Sequence, residues 1–121
     1  MPLLRVRRIE DGSLILEKTY HAKRFLQRLL GLLGRVGLSP DEGMLFEPGG
    51  SIHTFGMKFP IDVLFLDKDG AILGKNKDVL PNRFCIAPSK TRFVLEMASN
   101  TIQAHDLEIG HILKWCEDDQ I

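Results

Sequence analysis

Cysteine is scarce in this chain. It has two, Cys85 and Cys116, where a small secreted domain usually carries a full disulfide framework. Both are expected as free thiols. Long apolar runs are absent too. The longest, Leu29 to Leu33, falls far short of the roughly 20 residues a membrane-spanning helix needs. The opening MPLLRVRRIEDG turns charged too early for a signal peptide. The expectation is a cytoplasmic protein with no membrane partner. A basic excess is also missing: 16 Lys and Arg balance 16 Asp and Glu. Nucleic-acid-binding domains carry positive charge to neutralise phosphates, so nucleic acid is not expected as the main partner.

Close metal-ligand spacings are absent as well. His53, Asp62, His105, Asp106 and His111 are scattered, and no Cys-x-x-Cys or His-x-x-x-His brings ligands together. No metal and no cofactor is expected. Asp67-Lys68-Asp69-Gly70 has the look of a calcium loop, but its twelfth position is Asp78 and not the bidentate Glu. A hairpin turn is the better reading.

What is present describes a folded domain. The chain has 121 residues, 44% hydrophobic and 26% charged, which suits one globular domain over 1–121. A chain of this length buries roughly two-thirds of its unfolded surface, so it needs no staples.

Two strand-like runs, Leu3 to Ile9 and Ser13 to Lys18, flank Asp11-Gly12 and predict a hairpin. Ala22, Phe25, Leu26, Leu29, Leu30 and Leu33 then recur at helical spacing. They predict one amphipathic helix ending near Gly34. Met44 to Phe46 and Ser51 to Met57 read as strands. Ile61 to Asp67, IDVLFLD, is apolar on both faces and predicts a central strand covered on two sides. Lys68-Asp69-Gly70 turns it into a return strand starting at Ala71, and Gly74 to Asn82 reads as loop or edge. Phe84 to Ala87, Arg92 to Met97 and His111 to Trp115 add further strands. Ser99 is placed to cap a short helical turn running to Asp106. Many short strands separated by turn signals predict a mainly β, α+β fold. The expected form is a small antiparallel barrel or sandwich with the main helix packed on it.

Three strings are distinctive: Gly43-Met44-Leu45-Phe46, then Ser51 to Asp62 as SIHTFGMKFPID, then Phe65-Leu66-Asp67-Lys68-Asp69-Gly70. With Val94-Leu95-Glu96 and Gly110, they resemble the bacterial and archaeal family called domain of unknown function 192. The resemblance implies a small β-rich domain with a helix on its sheet. It implies no activity, cofactor or substrate. Relatives often carry a cysteine just before the long string, where this chain has Gly49-Gly50. They also often read Leu-Glu-Leu-Pro-Ala-Gly and then Gly-Asp, where this chain has Leu95-Glu96-Met97-Ala98-Ser99-Asn100 and Gly110-His111.

The candidate site is the Ser51 to Asp62 segment, with Ser51, His53, Thr54, Met57, Lys58 and Asp62 as candidate ligand-binding residues. Alternation puts Asp62 on the face of Leu64 and Leu66, and a buried carboxylate must find partners or lose its charge. It is read as accepting backbone amides near the Phe59-Pro60 bend. A ligand-orienting or acid–base role is the alternative. His53 is expected to share a strand face with Ser51, Phe55 and Met57. Arg24, Arg28 and Arg35 form a second candidate face for an anion or an acidic partner. The leading reading is a non-enzymatic binding or accessory module for a small molecule or a protein. The second is a small hydrolase-like enzyme using His53 and Asp62.

Overall fold

The structure, a computed structural model, describes residues 3–23, 32 and 34–117. Its strands are β1 (Leu3–Arg8), β2 (Leu14–Ala22), β3 (Glu42–Phe46), β4 (Ile52–His53), β5 (Ile61–Leu66), β6 (Ile72–Val79), β7 (Phe84–Cys85), β8 (Phe93–Ala98) and β9 (Leu113–Cys116). A four-residue helix, α1 (Thr101–Ala104), lies between the last two. Seven strands form one sheet in the order β6-β5-β8-β3-β2-β1-β9, and β4 and β7 form a small separate sheet. Among the described residues, no helix is long and apolar enough to cross a membrane.

The mainly β reading holds, with two corrections of form. The large sheet is mixed, because β2 and β3 pair in parallel. A parallel pair needs a crossover instead of a tight turn, and residues 23–41 supply the length. The sheet is also not closed into a barrel. Its outer strands, β6 and β9, meet at one corner through the Ala71–Ile112 bridge. There Ile72 N–H donates to the His111 carbonyl at 2.9 Å, and Leu113 N–H donates to the Gly70 carbonyl at 2.9 Å. Gly70 is required twice over. Its φ is +85°, and a Cβ there would run into the Leu113 carbonyl.

Both sheet faces are covered. On the first, Leu4, Val6, Leu16, Leu45, Leu64, Leu66, Leu95 and Met97 pack with Ile102 and Leu107. On the second, Met44, Ile61, Val63, Phe65 and Val94 pack with Leu32 and Cys85. β5 alternates between them, so its continuous apolar run is explained: every residue from Ile61 to Leu66 is buried.

Three local expectations change. Ala22 ends strand β2 and does not open a helix. The remainder of the expected amphipathic helix, with Arg24 and Arg28, lies outside the described residues. Ser51 to Met57 yields a strand only at Ile52–His53, because the chain turns at Thr54, whose carbonyl accepts Met57 N–H at 3.1 Å. The helical turn after Ser99 starts from Asn100, which makes no side-chain cap, while the Ser99 hydroxyl donates to Asp78 at 2.8 Å. Gly74 to Asn82 lies mostly in β6, the sheet edge.

Candidate functional site

The Ser51 to Asp62 segment splits into an outward and an inward part. The inward part ends on Asp62, which is 1% exposed. One oxygen accepts the Asp78 amide at 2.8 Å and the other the Ile102 amide at 2.9 Å. The carboxylate thus fixes β6, at a residue of positive φ, and the first turn of α1. The expected backbone partners exist, but they come from distant segments and not from the Phe59-Pro60 bend. Reach explains this, since Asp62 points to the first face, where α1 packs. A shallow cleft of about 310 Å³ opens beside it, lined by Asp62, Lys77, Asp78, Ser99, Asn100 and Gln103.

The outward part is built on β4 and β7, paired as Ile52 with Cys85 and His53 with Phe84. Ile52 and Cys85 face inward onto the second core. His53 and Phe84 face away and are exposed. Thr54 fastens this layer. It is fully buried; its hydroxyl donates to the Leu80 carbonyl at 2.7 Å and accepts Arg83 N–H at 2.9 Å. Its own N–H donates to the Arg83 carbonyl at 2.9 Å. The Ser51 hydroxyl accepts Ala87 N–H at 2.8 Å and closes the other end. Met57 packs half-buried on the second core, and Lys58 is exposed.

Above this fastened layer stand three rings. His53 and Phe55 stack at 5.3 Å between centroids, and Phe84 meets Phe55 edge-on at 5.0 Å and His53 at 6.3 Å. Phe84 is 68% exposed, Phe55 42%, and nearby Ile86 and Leu80 are exposed as well. His53 Nδ1 accepts the Phe55 amide at 3.2 Å, so the neutral ring carries its proton on Nε2. The Ser51 hydroxyl accepts the Ala87 amide, and both Asp62 oxygens accept backbone amides. The nucleophile–base–orienter contacts of a hydrolase are not formed among Ser51, His53 and Asp62.

Of the candidate anion face, Arg35 lies among the described residues and is half-buried. Its guanidinium pairs with Glu42 at 2.8 Å and lies over the Tyr20 ring. The Glu42 hydrogen bond holds the Arg35 pKa above its ordinary value. Among the described residues, no three His, Cys, Asp or Glu side chains are grouped to hold a metal ion.

Two polar features escaped the sequence reading. His21 Nε2 meets Glu47 at 2.8 Å. Glu96, 7% exposed, lies one strand from Asp62 but on the second face, beside Met44 and Val63 in register. Burial alone pushes its pKa up to about 8. Its signal, a carboxylate inside the apolar run Phe93 to Ala98, is the same one that drew attention to Asp62. The rings Phe55 and Phe84 were missed for another reason. Alternation places Phe84 opposite Cys85 without saying which face is covered.

Comparison with known proteins agrees with this fold. A UPF0127 protein of Pyrococcus furiosus is 26% identical over 113 residues, covering 88% of this chain and 94% of its own. The crystal structure of a protein of unknown function from Novosphingobium aromaticivorans superposes with a TM-score of 0.80 at 19% identity, over 93% of this chain and 84% of that one. That of a "putative transcription regulator" from Sinorhizobium meliloti gives 0.79 at 26% identity, over 97% and 95%. The model of the family DUF192, described as an uncharacterized ACR, matches residues 8–115. This chain belongs to the DUF192 family.

Proposed function

We propose that the chain is a single-domain, non-enzymatic binding module of the cytoplasm that offers the outer face of the β4–β7 layer to a partner. One observation carries the reading. His53, Phe55 and Phe84 are packed against one another yet remain exposed, on a layer that buried Thr54 holds from within and Ser51 fastens at its end. Rings kept in fixed mutual geometry lose little entropy when a partner covers them, and exposed aromatic clusters mark interaction surfaces. No disulfide joins Cys85 and Cys116, in keeping with a reducing compartment. The description of the Sinorhizobium relative as a "putative transcription regulator" fits a role based on contact and not on turnover.

The test is amide chemical-shift mapping of the ¹⁵N-labelled chain against a set of small organic probes such as phenol, benzoate and isopropanol. Shifts gathered on His53, Phe55, Phe84 and Ile86 support the reading. Shifts gathered on Lys77, Ser99, Asn100 and Gln103 move the site to the cleft beside Asp62 and overturn it.

A further inference from the structure

We infer that the partner of the ring face is an acidic protein segment carrying aromatic or aliphatic anchors. The inference rests on the reading above and adds the partner's chemistry. Two stretches build the face, residues 51–60 and 80–88. Together they contain two cations, Lys58 and Arg83, and no Asp or Glu. Both cations hang from the Thr54 clasp. Arg83 gives its N–H to the Thr54 hydroxyl and its carbonyl to the Thr54 amide. Lys58 follows Met57, whose N–H donates to the Thr54 carbonyl.

Both side chains are exposed, and neither makes an ion pair among the described residues. Arg8, Arg35, Lys75 and Arg92 do, with Asp11, Glu42, Glu108 and Glu47. In a chain of zero net charge, these two stretches carry exposed positive charge, no carboxylate, and the exposed apolar side chains Phe55, Leu80, Phe84 and Ile86. An apolar centre with a charged rim is the layout of a protein interface, and the rim sets which partners are admitted. Leu80 and Ile86 extend the centre with aliphatic surface. That suits Phe or Leu side chains of a peptide better than the flat faces of unpaired bases, which call for aromatic platforms.

Fluorescence anisotropy on the full chain tests this with three labelled probes. One is a decapeptide alternating Asp or Glu with Phe or Leu, the second has Lys at every acidic position, and the third is an oligothymidine of equal length. The acidic peptide should bind about tenfold or more tighter than the lysine peptide, because Lys58 and Arg83 attract the acidic residues and repel the lysines. The double substitution Lys58→Glu with Arg83→Glu should abolish that preference. Phe84→Ser and, separately, Ile86→Ser should weaken binding, with melting curves confirming the fold. Equal or tighter binding of the lysine peptide overturns the inference, as does tightest binding of oligothymidine. Failure of all three probes while the small-probe shifts still gather on the rings overturns the inference and leaves the binding reading intact. Peptide binding indifferent to both Phe84→Ser and Ile86→Ser overturns both.

Discussion

Asp62 and His53 stand nine residues apart in one segment and spend their chemistry in opposite ways. Asp62 faces inward, and each of its oxygens holds a backbone amide from another part of the chain. His53 faces outward, and its ring accepts the Phe55 amide in a local turn. A polar group whose partners are all internal is architecture, because burial without those partners would cost more than the group returns. Rings held in place and left uncovered are surface for something else. The same sheet repeats the lesson with two carboxyls. Asp62 on the first face is bonded at both oxygens. Glu96 on the second lies among apolar side chains, and burial drives it toward the neutral acid.

The largest effect expected from this contrast belongs to Asp62. Asp62→Ala orphans two amides, each costing about 1–3 kcal/mol. Since about 1 kcal/mol moves Tm by roughly 3–6 °C for a domain of this size, calorimetry should record a fall of about 10 °C or more. Asp62→Asn, which keeps one acceptor oxygen, should fall between. An unchanged Tm would break the architectural reading of this residue.

Glu96 gives a smaller effect with its own signature in pH. Its folded pKa is raised from 4.5 to about 8, so the folded state holds the proton more tightly than the unfolded. The contribution is complete below the unfolded value and is lost as pH rises toward and through about 8. Denaturant melts at pH 5, 7 and 9 should show the native chain losing stability relative to Glu96→Gln, with the gap widening at each step. Parallel curves would mean that Glu96 ionises freely in the fold.

The smallest effect belongs to the rings. Phe84→Ser removes a side chain that stands mostly in water, so stability should move by no more than about 0.5 kcal/mol. A large loss would show that the ring cluster is part of the core and would erase the contrast with Asp62.

Much of the fold was legible because local chemistry decided it. Asp11-Gly12 and Lys68-Asp69-Gly70 predict hairpins, and β1–β2 and β5–β6 are the hairpins formed. The apolar run after Asp62 predicts a strand covered on both sides, as β5 is. What was not legible depended on distance along the chain. The helical spacing that begins at Ala22 does not reveal that this residue completes β2, nor that β3 returns in parallel beside it. The Ser51 to Asp62 segment stood out as a string, but the roles within it follow from neighbours 20 to 40 residues away: Leu80 and Arg83 for Thr54, Ala87 for Ser51, Ile102 for Asp62. Periodicity gives alternation. It does not say that Cys85 and Ile52 take the inner side and leave Phe84 and His53 outside.

The central claim is that the outward half of the segment meets a partner while the inward half holds the fold. Photo-crosslinking in the native host tests it most directly. A photo-reactive amino acid replaces Phe84 in one chain and Val36, an exposed apolar residue outside the ring cluster, in another. The account predicts a discrete adduct at position 84, absent at position 36 and lost when Phe55→Ser is added without a change in Tm. The same adducts from both positions, or an adduct at 84 that survives Phe55→Ser, would contradict it.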